Sequence, residues 1–93
     1  MRIVKVKISV YTYLREKLGW REKVVEIPGK DQATLEEVLK QVPELYELVV
    51  VDGRIAEGYI VFVDGIHAQF VGGLNAVVKD GSEIAVFPPG GGG

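Results

Sequence analysis

Apolar and polar residues alternate from the start of the chain. Val4, Val6, Ile8 and Val10 point one way, and Lys5, Lys7 and Ser9 point the other. A repeat of two is that of a half-buried β-strand, predicted here over residues 3–10. Thr12 is placed to cap a short helix holding Leu14 and Leu18, with Gly19 to end it. Val25 and Ile27 share one face of a second strand, closed by the turn signal Pro28-Gly29. Thr34-Leu35-Glu36-Glu37 reads as a capping box, after which Leu35, Val38, Leu39 and Val42 recur at helical spacing. Pro43 stops or restarts that helix, and Leu45, Tyr46 and Leu48 suit another short turn.

Beyond Asp52-Gly53, a turn, residues 59–63 (Tyr-Ile-Val-Phe-Val) are apolar at every position. Such a run predicts a central strand with two apolar faces, one of them on the helix. Asp64-Gly65 is a hairpin turn signal, residues 70–74 form a loop or bulge, and Asp80-Gly81 leads into a last strand, Glu83 to Phe87. If Ile84 and Val86 face the core, Ala85 and Phe87 face outward beside the apolar back of residues 59–63. This parity predicts an exposed apolar patch containing Phe87 and Phe62, the mark of an interface. One principal helix over one face of a mixed sheet is an α+β layer solution. Helices and strands do not alternate regularly, so a doubly wound nucleotide-binding fold is not expected.

With 93 residues, 47% of them hydrophobic, the chain makes one small folded domain. We place that domain at residues 1–87 and a flexible Pro-Pro-Gly-rich tail at 88–93. The net charge is −2 and the basic residues form no cluster, which argues against nucleic acid as a partner. Acids gather at Glu36, Glu37, Glu44 and Glu47 and read as a solvated helix face. With no cysteine, disulfides, thiolate metal sites and thiol catalysis drop out together. The start lacks the apolar run of a signal peptide, and no stretch approaches the about 20 apolar residues of a membrane span. A cytoplasmic protein with no membrane association is expected.

The single histidine, His67, follows the Asp64-Gly65 turn and reads as an exposed, chemically bland residue, with no second His or Cys to complete a triad or metal set. Ser9 and Ser82 have no catalytic motif around them, and Gly72-Gly73 lacks the lysine and helix of a phosphate loop. No metal site and no bound cofactor are expected. The tail offers another chemistry. Pro88 and Pro89 stiffen its exit. Gly90, Gly91, Gly92 and Gly93 then reach roughly 13–14 Å when extended. Such a tail can thread a slot too narrow for any Cβ and deliver the Gly93 carboxylate to a remote active site. A carboxylate is a poor acyl donor. Its attack on the α-phosphate of ATP in a partner enzyme gives an acyl-adenylate, which accepts a sulfur or amine nucleophile.

The chain resembles the MoaD family, the small sulfur-carrier subunits of molybdopterin synthase, within the β-grasp ubiquitin-like superfamily. The likeness rests on several segments in order. Residues 10–16 resemble an aromatic-x-x-Leu-Arg-Glu stretch. Pro28, Thr34, Leu35, Val38 and Leu39 resemble a P…T…vxdLL stretch, and residues 61–65 a V-x-V-N-G strand and turn. Residues 73–85 resemble GLxxxLKDGDEVA, and Phe87-Pro88-Pro89 through Gly92-Gly93 resemble PPxxGG. Asp64 stands where the family usually has Asn, Ser82 replaces an acid, and Gly90-Gly91 replaces a bulkier pair.

The resemblance implies a β-grasp fold and a carrier whose Gly93 is adenylated by a MoeB-like enzyme, which uses ATP and Mg, and converted to a thiocarboxylate. The tail, Pro88 to Gly92, then enters a MoaE-like large subunit that owns the catalytic pocket, with Phe87 and Phe62 docking the domain. Three other readings stay open. One is a ubiquitin-like modifier joined through Gly93 to protein lysines. Another is a β-grasp binding module with an inert tail. A thiamin carrier of the ThiS type fits less well, such chains being usually shorter and lacking Pro-Pro.

Overall fold

A computed structural model describes residues 2–90 of the chain. Strand β1 (Ile3–Val10) follows the alternation of the sequence: Val4, Val6, Ile8 and Val10 are all fully buried. Helix α1 (Tyr13–Leu18) ends at Gly19, whose φ of 83° lets its amide turn back to the carbonyl of Arg15. Strand β2 (Glu22–Pro28) returns antiparallel to β1, with Val4 opposite Ile27 and Val6 opposite Val25. A short strand β3 (Gln32–Thr34) leads into α2 (Leu35–Lys40), and α3 (Pro43–Val49) follows with proline in its first turn. Two-residue strands β4 (Val50–Val51) and β5 (Arg54–Ile55) flank the Asp52-Gly53 turn. Then come β6 (Ile60–Val63), β7 (Ile66–His67), 3₁₀ turns at Ala68–Phe70 and Gly73–Asn75, β8 (Val77–Lys79) and β9 (Glu83–Phe87).

The main sheet has the order β2-β1-β9-β6-β7. Its centre is parallel, Ile8 pairing with Ile84 and Val10 with Val86, while β6 runs antiparallel to β9 on the other side. One face carries the core. Val61, Val63, Ile84 and Val86 join the β1 valines against Leu14, Leu35, Val38, Leu39, Leu45 and Val49 from the helices. Truncating such a leucine to alanine costs about 2–5 kcal/mol. The β3–β8 pair extends this cover at the end of the helical layer.

Several expectations hold in detail. The Thr34 hydroxyl accepts from the Glu37 amide at 3.1 Å, and the Glu37 carboxylate accepts from the Thr34 amide at 3.0 Å, closing the capping box. Asp64 and Gly65, both at positive φ, close the β6–β7 hairpin with Val63 opposite Ile66. Pro43, lacking an amide hydrogen, restarts the helical layer as α3 after α2, as its place in the sequence predicts.

Others are corrected. Thr12 stands before α1 but its side chain caps nothing. Its φ of 53° and ψ of −136° turn the chain instead, a strained setting for a β-branched residue. Strand β6 lies one in from the sheet edge rather than at its centre. Of the two alternatives for residues 70–74, the loop holds and the bulge does not: the segment joins the 3₁₀ turns Ala68–Phe70 and Gly73–Asn75. The acids are not simply solvated: Tyr46 donates to Glu36, Lys30 pairs with Glu37 and Lys23 with Glu44.

Candidate functional site

The open face of the sheet divides into two halves. Near the start of β9, Lys7 lies 4.0 Å from both Glu22 and Glu83. Near the end of β9 the outward residues are aromatic. Tyr11, whose amide continues the β1–β9 pairing to the Val86 carbonyl at 3.2 Å, stacks on Phe87 with ring centres 4.4 Å apart and planes 7° apart. Phe87 meets Phe62 edge to face at 5.8 Å. Phe62 meets His67 at 5.6 Å, and His67 meets Phe70 at 5.5 Å. Arg15 closes the other end, its guanidinium 4.8 Å above the Tyr11 ring while its Nε donates to the Val10 carbonyl at 2.8 Å. A row of rings thus crosses β1, β9, β6 and β7 in spatial order, each in an arrangement favoured by the ring quadrupoles.

The expected pair, Phe87 and Phe62, is together on this face, and both are half-buried by their ring neighbours. The residues that protrude are Phe70, 74% exposed, and Ile60, 40% exposed. Ile60, two residues before Phe62, lies on the apolar back of residues 59–63 as the alternation predicts, whereas the local pattern does not place Tyr11, His67 or Phe70 in the patch. His67 was within reach of the hairpin, since a two-residue Asp64-Gly65 turn sets it opposite Phe62. His67 is accordingly not an exposed turn residue: it is half-buried, and its Nδ1 accepts from the Gln69 amide at 3.3 Å.

Beside this patch the chain leaves the sheet. Pro88 is buried and Pro89 is half-buried, whereas Gly90 is exposed. Thr12, Tyr13, Ile60, Phe62 and Phe87 line an apolar groove along this stem. Next to Ile60, burial raises the Tyr59 hydroxyl above its ordinary pKa, with Tyr13 adding to the shift. Gly91, Gly92 and Gly93, assigned from sequence to the threading arm and its reactive end, lie outside the described residues.

The Ser82 hydroxyl is committed to structure. It donates to Asp64 Oδ2 at 2.8 Å and accepts from the Lys79 amide at 3.0 Å, while Asp64 Oδ1 accepts from the Glu83 amide at 2.9 Å. Asp64 and Ser82, two of the positions that depart from the MoaD pattern, therefore form one clamp between two turns. Among the described residues no group of three or more His, Cys, Asp or Glu is placed to hold a metal, and no helix is long and apolar enough to cross a membrane. The site offers an apolar recognition face and a backbone arm leaving its rim.

A mixed sheet grasping a helical layer, with its last strand at the centre, is the β-grasp architecture of ubiquitin-like proteins, and solved structures of that kind match the chain nearly end to end. The chain belongs to the ThiS family, whose profile matches residues 8–93. CysO in the BexX/CysO complex of Amycolatopsis orientalis is similar over 95% of this chain and 99% of that one, with 32% identity and a TM-score of 0.76. Small archaeal modifier protein 1 of Methanosarcina acetivorans matches over all of both chains at 22% identity and a TM-score of 0.75. A Pyrococcus furiosus protein assigned provisionally as molybdopterin converting factor subunit 1 matches over 94% of this chain and 99% of that one, at 24% identity and a TM-score of 0.68. No curated protein sequence matches the chain.

Proposed function

We propose that this protein is a cytoplasmic sulfur carrier that serves as the small subunit of a molybdopterin synthase, with Gly93 as the reactive end. The observation that carries the reading is that the apolar ring face surrounds Phe87, the last residue of the strand from which the tail leaves. A partner that docks on Phe62, Phe87 and Phe70 finds the arm leaving beside them. Family membership supports the carrier chemistry, and the name of the Pyrococcus neighbour suggests the acceptor.

In this reading a MoeB-like enzyme, using ATP and Mg, joins the Gly93 carboxylate to the α-phosphate and releases pyrophosphate. A sulfur donor displaces AMP and leaves a thiocarboxylate. Gly90 through Gly92, carried on the Pro88-Pro89 stem, then enter a MoaE-like large subunit, where sulfur passes to a pterin precursor and water returns the carboxylate. This chain contributes docking, a stiff stem and an arm without side chains, so proximity and orientation are its catalytic share.

A second reading, favoured by the likeness to small archaeal modifier protein 1, joins the same adenylated Gly93 to lysines of other proteins. Intact mass after incubation with ATP, an activating enzyme and a sulfur donor tests the carrier. The mass gain of one oxygen replaced by sulfur, absent in a chain lacking Gly93, is expected. An unchanged mass with a competent enzyme overturns the carrier reading, and isopeptide-linked conjugates in cells would favour the second.

A further inference from the structure

We propose that Gly58 is a positioning residue for the arm: its bare Cα seats Pro89 and so fixes the direction in which the chain leaves the domain. The functional half of this proposal rests on the carrier reading. The β6–β9 ladder pairs Val61 with Val86 and Ile60 with Phe87. Carried on in the same register, it sets Gly58 opposite Pro89. Hydrogen bonds donated from β9 cannot extend the ladder there, because neither Pro88 nor Pro89 has an amide hydrogen. Steric contact takes their place. A Cβ on Gly58 would lie 2.9 Å from Pro89 Cβ, 3.1 Å from its Cγ and 3.4 Å from its Cα. The first distance is too short to tolerate, and a proline ring has no rotamer through which to move away.

The loop bearing Gly58 is itself held. The Ala56 amide donates to the Val49 carbonyl at the end of α3, and the Tyr59 amide donates to the Ala56 carbonyl at 3.1 Å. Pro88, between Phe87 and Pro89, is buried. The stem is therefore fixed from two sides, by burial at Pro88 and by the glycine seat at Pro89. At Gly90 a Cβ would meet nothing within 4 Å. The fixed stem therefore ends at Pro89, and Gly90 is the first residue with open space around it.

Gly58 also has a φ of +89°, so a substitution there combines backbone strain with a blocked seat. Gly53 separates the two. Its φ is +76° with nothing within 4 Å of a built Cβ, so Gly53→Ala brings the strain alone. Gly58→Asn is the complementary variant, since asparagine tolerates positive φ yet still carries the Cβ. It keeps the test available should Gly58→Ala fold poorly.

The experiment combines NMR of the intact chain with adenylation kinetics. In the wild type, cross-peaks between Gly58 Hα and Pro89 side-chain protons are expected, with a Gly90 amide more ordered on the nanosecond scale than in either Gly58 variant. The kcat of adenylation should fall about tenfold or more in Gly58→Ala and Gly58→Asn, with KM little changed because the ring face is untouched. Small misplacements of a reacting group cost up to about 100-fold. Gly53→Ala should stay within about twofold, as expected of strain remote from the arm. Missing cross-peaks in the wild type, equal losses at Gly53 and Gly58, or a rise in KM with kcat unchanged would each overturn the proposal. If the wild-type chain is not adenylated at all, the carrier reading fails, while the cross-peaks and Gly90 order still decide whether the seat exists.

Discussion

Tyr11 and Phe87 lie ring on ring, 4.4 Å apart, although 76 positions separate them in sequence. The stack joins the end of β1 to the end of β9 and sets the Tyr11 ring against one face of the Phe87 ring. Phe87→Ala should therefore lower both domain stability and partner affinity, because an aromatic pair contributes about 0.5–1.5 kcal/mol beyond its buried area. Phe70 separates the two effects, being 74% exposed. Phe70→Ala should leave the denaturation midpoint nearly unchanged and weaken partner binding by about 1–3 kcal/mol. Calorimetric titration showing wild-type affinity for Phe70→Ala would remove it from the interface.

A substitution at Gly92 tests the arm. Gly92→Trp should abolish adenylation, because a slot shaped for bare backbone cannot pass an indole. Thermal unfolding should be unchanged. Wild-type turnover of this variant would argue against a threaded arm.

The Asp64–Ser82 clamp gives a graded prediction. Asp64→Ala removes the acceptor for both the Ser82 hydroxyl and the Glu83 amide, and places alanine at a φ of 50°. A loss of about 1–3 kcal/mol is expected from the unsatisfied groups. Asp64→Asn should cost far less, since asparagine accepts the same positive φ and keeps one acceptor oxygen. Equal losses in urea denaturation would show that the clamp is not what holds these turns.

On the acid side, the Glu37 carboxyl titrates below its ordinary value, first because Lys30 pairs with it and next because the Thr34 amide donates to it. A lowered folded pKa contributes stability above the unfolded value, about pH 4.3. That contribution is lost as pH falls through the lower folded value. Glu37→Gln should keep the cap but flatten this acid limb, because glutamine also closes a capping box. Thr34→Ala should cost about 1 kcal/mol at neutral pH. Unfolding curves between pH 2 and 6 that are superimposable for wild type and Glu37→Gln would contradict this.

On the alkaline side, Tyr46 is raised chiefly by donating its hydroxyl to Glu36, and Tyr59 chiefly by burial. Both therefore favour folding fully below the unfolded value near pH 10, and the contribution fades as pH rises through their higher folded values. Ultraviolet titration should place Tyr46 and Tyr59 above the ordinary tyrosine value. Glu36→Gln should advance Tyr46 and leave Tyr59 in place. Either of these two tyrosines titrating at the ordinary value would count against the environment described for it.

Much of the fold is legible in the sequence because it is local. The β1 valines alternate, Thr34 and Glu37 stand three apart, and Asp64-Gly65 allows only a tight hairpin. The parity of β9 sets Phe87 on the outer face with Phe62. What escapes is set by distant partners. Strands β3 and β8 have three residues each, too few to show a period, and exist because Gln32 meets Lys79 and Thr34 meets Val77. Tyr11 is read as part of a motif because its position over Phe87 depends on a parallel pairing invisible in local pattern. The Gly58 seat likewise arises only when β6 and β9 are placed in register.

The central place of β9 has a mechanical consequence. A partner that grips the chain beyond Gly90 pulls on a strand bonded along both edges, to β1 on one side and β6 on the other. The load runs along the strand axis and is shared by both ladders at once in shear. An edge strand would instead peel away one bond at a time. The domain is thus built as an anchor that tolerates traction on its own arm, and a partner can strip the arm free without unravelling the sheet that presents it.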